Sequence, residues 1–456
     1  MVVKAPARGR SLPPGPPFPA VIQMAMFLLR PGSFPKWCRR RYGDVFTLRL
    51  PLAGKAIAIA DPALVKTIFA GDAELLHAGE TNGEVLTPIL GRRSVLVLDE
   101  ADHMRERKLM LPPFHGERMR VWKDEIEALA VEAVEGWPAG RELALLPEMR
   151  RLTLEIILRV VFGLDEVERL AEFRRLLQGM LDFSDNLLAL LPWFRKEGIS
   201  WTPWARFVRL REEADQTIFA EIARRRDVGV EGRTDVFSML LEAKREDGSP
   251  MTDRELRDEL MTILVAGHET TATSLAWCFD LLLHNPDKLA KLRADLAEGR
   301  AEYLDAVIKE TMRLRPVIAV IGRRLTRDWE LGGYQIPAGF SVEPHIWLIH
   351  HREDVYPEPE KFVPERFLEG PQPDAGSYLP FGGGLRRCLG ASFATFEMKT
   401  VIPVVLDRVS MRPVLSRPER VKREAVTMVP ARGARVVVES RGEVAAKAAG
   451  DRAPAA

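Results

Sequence analysis

The stretch FGGGLRRCLG, residues 381–390, combines four glycines and one cysteine immediately before an apolar-periodic segment predicted to form a helix over about 389–405. Glycines let a backbone turn tightly and approach a flat ligand closely. A cysteine at a helix N-terminus has its thiolate stabilised by the helix dipole and by free N–H groups. The Lys-Ser/Thr pair of a phosphate-binding loop is absent. We interpret the stretch as a loop that presents the Cys388 thiolate to a metal; the alternative is a glycine-rich turn with a buried cysteine.

The second signal lies upstream, where AGHETT, residues 266–271, interrupts the longest helical pattern of the chain. A capping box at residues 252–255 predicts the start of this helix, which extends from Asp253 to His284, about 48 Å at 1.5 Å per residue. Gly267 in its interior costs about 1 kcal/mol relative to alanine. A threonine bonded to the preceding turn would bend the helix and open a groove. The pattern indicates a functional segment, with a kinked structural helix as the alternative.

These two stretches resemble the signature segments of cytochromes P450. Residues 381–390 match the family pattern F-G-x-G-x-R-x-C-x-G at every specified position, and residues 266–271 match A-G-x-D/E-T-T/S. The resemblance implies one mainly α domain with small β-sheets (α+β), whose long central helix crosses a haem b. It implies that Cys388 ligates the iron and that O2 is a co-substrate. By the same match, Thr270 hydrogen-bonds iron-bound dioxygen and Glu269 relays protons.

The resemblance also assigns the remaining haem contacts. Residues 103–107 are similar to the family's H-x-x-x-R helix, and residues four apart share a helix face; a basic helical surface is the alternative. An arginine that binds a propionate is expected at Arg323, with Arg324 as the competing choice. The complete predicted set of haem-binding residues is His103, Arg107, Ala266, Arg323, Phe381, Arg386, Cys388 and Gly390.

A predicted ion network serves the fold and not the reaction. Glu310 and Arg313 match the family's E-x-x-R, and residues three apart share a helix face. Arg366, in the P-E-R-F segment at 364–367, is the third member that the resemblance implies. A buried glutamate between two arginines needs good geometry and satisfied donors. We expect the network to hold the cysteine loop in place.

The substrate pocket is inferred only from the family's usual recognition regions, and plain core packing is the alternative for each residue. The predicted lining residues are mostly apolar, which suits a hydrophobic small molecule such as a fatty acid, terpenoid, steroid or macrolide. They are Thr262, Val265, Ala319, Val320 and Met428, together with residues 86–90, which are expected in a loop. A basic docking face for an electron donor is predicted, against scattered solvated charges, at Arg105, Lys108, Arg387 and Lys399.

Composition limits the other possibilities. Of 456 residues, 66 are Lys or Arg and 65 are Asp or Glu, so nucleic acid is not expected as a partner. Three widely spaced cysteines do not form a disulfide framework, which favours a cytoplasmic protein with Cys38 and Cys278 as small buried residues. The apolar run at 20–29 is about half of the roughly 20 residues that span a bilayer. It predicts a short amphipathic helix and no transmembrane anchor.

We predict a flexible N-terminus at 1–11, one domain at 12–440 and a disordered tail at 441–456. Further helices are predicted at 116–137, 148–163 and 202–227, and residues 177–204 suggest a lid or a buried helix pair. Strand signals predict a hairpin from 44–52 and 56–60, strands at 330–336 and 340–344, and a last hairpin between Ala425 and Glu439.

The leading functional hypothesis is a monooxygenase that hydroxylates or epoxidises its substrate. Because the oxygenase pattern spans nearly the whole chain, NAD(P)H electrons are expected to arrive through a separate ferredoxin or flavodoxin and its reductase. A haem-thiolate peroxygenase or isomerase is disfavoured, since such relatives commonly lose the pair that Glu269 and Thr270 form here. A haem protein that only binds a ligand remains a further alternative.

Overall fold

A computed structural model describes residues 12–51, 54–114, 116–164, 166–184, 202–369 and 372–441. Helices dominate this part of the chain. They are α1 (Ala20–Leu29), α2 (Ser33–Tyr42), α3 (Pro62–Phe69), α4 (Ala78–Leu90), α5 (Glu100–Met110), α6 (Lys123–Glu135), α7 (Leu145–Ile156), α8 (Val167–Ser184), α9 (Pro203–Val228), α10 (Val236–Glu242), α11 (Asp253–Leu283), α12 (Pro286–Ala297), α13 (Glu302–Leu314), α14 (Ile346–His350) and α15 (Ala391–Arg408). The predicted class, mainly α with small sheets, is confirmed.

The strands are short and form four small sheets among the described residues. They are β1 (Val45–Leu50), β2 (Gly54–Ile59), β3 (Leu76–His77), β4 (Glu142–Ala144), β5 (Arg323–Leu325), β6 (Trp329–Leu331), β7 (Tyr334–Ile336), β8 (Ser341–Pro344), β9 (Val409–Pro413), β10 (Val421–Glu424), β11 (Thr427–Pro430) and β12 (Arg435–Arg441). The largest sheet has the order β1-β2-β8-β5-β3, and the others are β10-β11, β4-β12-β9 and β6-β7. The predicted hairpin of β1 and β2 is confirmed.

Helix α11 is the centre of the fold, as predicted. The Thr252 side chain accepts from Glu255 N, and the Glu255 side chain accepts from Thr252 N, so the capping box forms. Most α11 side chains are buried against α7, α4, α13 and α15. A helix surrounded in this way has its position fixed along its length, which allows it to act as a rigid support for the site.

Several local predictions were wrong. Residues 330–336 form a hairpin of β6 and β7 and not one strand, because Gly332 and Gly333 turn with positive φ. Strand β11 pairs with β10, whereas β12 pairs with β4 and β9, so the last predicted hairpin does not exist. Residues 86–90 belong to α4 and not to a loop. The segment predicted as a helix at 116–137 begins as 3-10 turns over Gly116–Trp122.

The other helix predictions agree with α7, which continues as a π-helical turn at Ile157–Val161, and with α9 and α15. The short N-terminal helix is α1. The predicted N-terminal arm at 1–11, the tail after 441 and residues 185–201 of the proposed lid lie outside the described residues. Among described residues, no helix is long and apolar enough to cross a membrane.

Candidate haem site

The cysteine loop is closed by a backbone hydrogen bond from Cys388 N to Phe381 O at 2.9 Å. Gly390 caps α15, which places Cys388 just before the first turn of that helix. The Cys388 side chain is accessible, in contrast to the buried Cys38 and Cys278. Burial of its surroundings nevertheless raises the Cys388 pKa, while a hydrogen bond from Gly390 N and the charges of Arg387 and Arg107 lower it. A thiol that is accessible and yet surrounded by protein faces an internal space.

Two glycines of the loop serve a purpose that the sequence did not reveal. A Cβ on Gly383 would lie 2.3 Å from the Phe69 ring, at the end of α3. A Cβ on Gly384, which has a φ of +64°, would lie 2.3 Å from Phe69 O. These glycines therefore allow the loop to pack on α3, whereas a Cβ on Gly390 would meet nothing within 4 Å.

The middle of α11 is open on one side. Ala266 is exposed although Leu264 and His268 are buried. Thr270 Oγ1 donates to Ala266 O at 2.6 Å, the bond to the preceding turn that the motif suggested. A Cβ on Gly267 would meet only Ile157 Cδ1, at 3.4 Å. Such a threonine contact widens the helix locally and leaves an accessible groove in a buried helix.

Glu269 does not share the environment of Thr270. Its carboxylate forms two 2.6 Å hydrogen bonds with Arg150 of α7, and Thr273 Oγ1 donates to it at 3.2 Å. Arg150 also contacts Glu424 at 2.8 Å. Burial raises the Glu269 pKa, and Arg150 opposes that rise. The two predicted catalytic residues are adjacent in sequence, yet the structure ties Glu269 to a salt bridge that sequence analysis missed.

Four predicted haem-binding residues, three arginines and His103, lie together. Burial lowers the His103 pKa to about 3, and the charges of Arg386, Arg107 and Arg323 lower it further. Burial and the charge of Arg386 lower the Arg323 pKa to about 10. Within the described part of the chain, no carboxylate lies within ion-pair distance of Arg107 or Arg323. Asp99 pairs with Arg386, which leaves the charges of Arg107 and Arg323 without an ion-pair partner in the described structure, and an anion is favoured beside them.

Arg323 and Arg324 lie in different surroundings. Arg323 is buried beside His103 and Arg386, whereas Arg324 contacts Glu84 at 2.8 Å and Glu80 at 3.6 Å. Arg324 therefore has its charge matched by carboxylates of α4 and is not part of the cation cluster.

Asp99 anchors the cluster, and sequence analysis missed it. Its carboxylate accepts hydrogen bonds from the backbone N–H groups of Ala78, Gly79 and Glu80 at 2.8–2.9 Å, the first turn of α4. It also forms an ion pair with Arg386. Asp99 thus caps one helix and fixes the direction of the arginine next to Cys388. Its position before α5 resembles an ordinary helix cap in the sequence, so no local signal marked its partner.

The three residues of the predicted ion network lie in contact with one another. Arg313 Nε lies 2.7 Å from Glu310, and both side chains have 0% exposure. Arg366 Nε donates to Glu310 at 3.1 Å, and Arg313 also donates to the His350 and Pro359 carbonyls at 2.8 Å. The network joins α13 to the end of α14 and to the segment that follows α14. Every contact supports the fold, and none reaches the cysteine loop directly.

The residues present fit a haem. One accessible thiol precedes α15, a small-residue groove opens in α11, and a cluster of partly and fully buried arginines suits carboxylates. No group of three metal-ligating side chains exists among the described residues, so protein groups alone would not hold an iron there. A single cysteine is sufficient when a porphyrin supplies the other iron ligands.

Comparison with known proteins agrees with this geometry. The family model for cytochrome P450 matches residues 13–437. This chain belongs to the cytochrome P450 family. It is 42% identical to "Putative cytochrome P450 135B1" of Mycobacterium tuberculosis, covering 95% of this chain and 93% of that protein. "Putative cytochrome P450 137" of the same organism is 38% identical, with 87% and 83% covered.

The solved structure "Retinoic acid bound cyanobacterial CYP120A1" superposes with a TM-score of 0.80, covering 94% of this chain and 99% of that one. At 24% identity, it shows likeness of fold. Family membership makes the chain a haem-thiolate monooxygenase that uses O2.

The predicted pocket residues of this P450 separate into two groups. Ala319 and Met428 are buried in one cluster, and Val320 packs against it. Thr262 and Val265 lie on α11, where Thr262 Oγ1 is 2.6 Å from Ser94 Oγ. A bridge between Ile318 and Thr427 joins the loop after α13 to β11. The first group therefore belongs to one contiguous apolar cluster.

The predicted docking face of the P450 is largely neutralised. Arg105 pairs with Asp102, Lys108 with Glu246 at 2.8 Å, and Lys399 with Asp305 at 2.6 Å. Arg387 is exposed and has no carboxylate within ion-pair distance among residues whose positions are described. The surface next to the cysteine loop therefore retains one uncompensated charge from the predicted set.

Proposed function

We propose that this P450 inserts one oxygen atom of O2 into a hydrophobic small molecule, with Cys388 as the iron ligand. The observation that carries the assignment is the accessible Cys388 thiol near a group of arginines, of which Arg107 and Arg323 have no carboxylate within ion-pair distance among the described residues. The bound haem supplies the activation of oxygen at its iron. The residues of this chain bind and orient the haem and control the movement of protons.

The cations of the cluster bind the haem carboxylates. Arg107, Arg323 and Arg386 offer guanidinium donors suited to carboxylates, and Asp99 holds Arg386 in place. His103 stays neutral above a pH of about 3 and donates one ring N–H. Phe381 and Gly390 flank Cys388, and the Gly390 N–H stabilises its thiolate. Ala266 and Gly267 leave room for a planar group beside α11.

Thr270 and Glu269 handle protons in this proposal. Thr270 holds its hydroxyl proton toward Ala266 O, so its oxygen is left to accept a hydrogen bond from the groove. Glu269 must leave Arg150 before it can pass a proton toward Thr270. The raised pKa of Glu269 makes proton uptake easier once that ion pair opens.

The substrate is proposed to be an apolar molecule of the fatty acid, terpenoid, steroid or macrolide type. Support comes from the contiguous apolar surface of Ala319, Val320 and Met428 and from Val265 on α11. The name of the similar cyanobacterial structure states that it binds retinoic acid, itself a largely apolar molecule. Hydrophobic linings with few polar groups are usual for such ligands.

Electrons are proposed to come from NAD(P)H through a reductase and a ferredoxin or flavodoxin. Arg387 beside the cysteine loop supports an acidic partner, because its charge is not compensated. A cytoplasmic location is proposed from the cysteines. Cys38 and Cys278 are buried, and burial raises both pKa values to about 12, so neither thiol is reactive.

The test is the CO difference spectrum of the dithionite-reduced protein, followed by turnover with a surrogate ferredoxin and reductase. Wild type and the control variant Cys38→Ala should both show the red-shifted band of thiolate-bound haem. Cys388→Ala should lose it because the sulfur ligand is gone. A variant that keeps the band would show that Cys388 is not the ligand. Absence of any oxygenated product from a panel of apolar substrates would favour the non-catalytic alternative.

A further inference from the structure

Arg423 is a partly buried cation whose charge has no ion-pair partner in the described structure. It lies on β10 directly opposite Met428 of β11, so the two side chains share a face of the hairpin. Its Nε donates to Ala425 O at 3.1 Å, and its guanidinium lies 4.4 Å from the Phe27 ring centroid. Arg423 Nη1 is buried and has no hydrogen-bond partner. No carboxylate approaches within 4.0 Å of it among the residues that the structure describes.

Two titratable groups, Glu343 on β8 and His345 at the start of α14, lie near Arg423 but do not neutralise it. Glu343 interacts with it only at a distance beyond ion-pair contact, and burial raises the Glu343 pKa to about 7. His345 is also close, and burial together with the charge of Arg423 lowers its pKa to about 3. Burial lowers the Arg423 pKa to about 10, which leaves it charged at neutral pH. Near pH 7, the cation therefore has at most a partly ionised acid nearby.

Arg423 adjoins the residues predicted to line the substrate pocket. Met428 and Ala319 share an apolar cluster with Phe27, and Met428 N donates to Val317 O at 2.8 Å. Trp277 of α11 donates to Met428 O at 2.8 Å. Since Trp277 follows Thr270 by about two helical turns, the two lie about 10 Å apart along the helix. Arg423 also keeps part of its surface accessible.

We propose that Arg423 anchors the carboxylate of an elongated apolar substrate whose other end is oxidised near Thr270. This inference rests on the proposed function, which it narrows to amphiphilic acids. A guanidinium covered on one face by Phe27 offers one edge of donors, which suits a carboxylate. A phosphate dianion would need more donors than Arg423 and a neutral His345 supply.

The test compares dodecanoic acid with dodecanol, which has the same chain, by calorimetric titration of the haem-loaded protein at pH 8. Wild type is expected to bind the acid about tenfold more tightly, the gain from one charge-assisted hydrogen bond. Arg423→Met should abolish that preference and Arg423→Lys should retain part of it. The matched control is Arg420→Met, because Arg420 is exposed immediately before β10. It should leave the preference unchanged.

The substitution Glu343→Gln is expected to change the affinity for dodecanoic acid in the direction opposite to Arg423→Met. Removing the Glu343 carboxylate should tighten binding of dodecanoic acid by about two- to threefold and leave dodecanol unaffected, since the repulsion acts only on an anion. An acid that binds no more tightly than the alcohol, or a preference that survives in Arg423→Met, would overturn the proposal. Failure of the proposed function would appear separately, as a wild-type protein without the thiolate CO band. If Arg423→Met does not fold, the other two variants decide.

Discussion

At the scale of single residues, the Glu310 carboxylate shows how much depends on one buried charge. It has 0% exposure and accepts from Arg313, Arg366 and Val363 N. Arg313→Met should lower the free energy of unfolding by about 3–5 kcal/mol, because the carboxylate then stays buried without its main partner. Urea denaturation of the haem-loaded protein measures this.

The matched control is Arg151→Met, which breaks the Glu148–Arg151 pair with the same spacing on the surface of α7. It should change stability little, since solvent-exposed pairs contribute little. Equal effects of the two substitutions would show that burial is not what makes the Glu310 network important.

Asp99 is predicted to act through the residues that it positions. Asp99→Ala removes the cap of α4 and the anchor of Arg386, and it should cost about 0.5–2 kcal/mol in stability, as lost helix caps do. It should also speed haem loss to a haem-scavenging apomyoglobin. Asp61→Ala is the control, because Asp61 caps α3 but contacts no haem-binding cation. Faster haem loss in both variants would mean that the cap alone matters.

Single residues were predictable where their partners are near in sequence or fixed by the family pattern. Glu310 and Arg313 are three residues apart, and the thiolate loop is one continuous stretch. Arg150 lies 119 residues from Glu269, and Asp99 lies 287 residues from Arg386. Nothing local distinguishes such partners from ordinary surface charges, since only the fold brings them together.

At the scale of elements, helix α15 begins just after Cys388 and contains a buried acid, Glu397, in its interior. Glu397 Oε1 has no hydrogen-bond partner, and burial raises the Glu397 pKa from 4.5 to about 8. The folded protein therefore keeps a proton that the unfolded chain loses above 4.5. Stability falls as the pH rises through the window from about 4.5 to 8, by up to about 1.4 kcal/mol per pH unit.

Glu397→Gln should remove this loss, so the variant gains stability relative to wild type as the pH rises and the difference vanishes below about 4.5. Urea denaturation at a series of pH values measures the difference. Glu369→Gln, at an exposed position, is the control and should show no such trend. A constant difference at all pH values would contradict the role of ionisation.

Elements were predictable when their signals were local. The capping box at 252–255 set the start of α11, and the alternation at 44–60 gave the hairpin of β1 and β2. The pairing of strands was not predictable in this way, because β12 pairs with β4 of a distant segment and β11 pairs with the preceding strand β10. Hydrophobic alternation predicts that a segment is a strand but does not identify the strand with which it pairs.

At the scale of the whole molecule, 66 basic and 65 acidic residues nearly cancel. Docking of an electron donor therefore depends on local charges and not on the net charge of the protein. Of the predicted face, Lys399 is compensated by Asp305 at 2.6 Å, whereas Arg387 stands without a carboxylate in the described structure. An acidic ferredoxin should therefore be steered mainly by Arg387. Arg387→Glu is expected to slow reduction by the ferredoxin about tenfold or more at low ionic strength.

The effect of Arg387→Glu should shrink as salt is added, because the Debye length falls from about 30 Å at 0.01 M to about 3 Å at 1 M. Stopped-flow reduction under CO measures both rates. Lys399→Glu is the matched control, since the charge that it reverses is already paired, and its effect should be smaller. If the two variants slow reduction equally, the ion pair to Asp305 does not mask Lys399, and the docking face extends along α15. If neither slows it, the donor docks elsewhere on the molecule, because a charge reversal next to the cysteine loop cannot be neutral for a partner held there by electrostatic attraction.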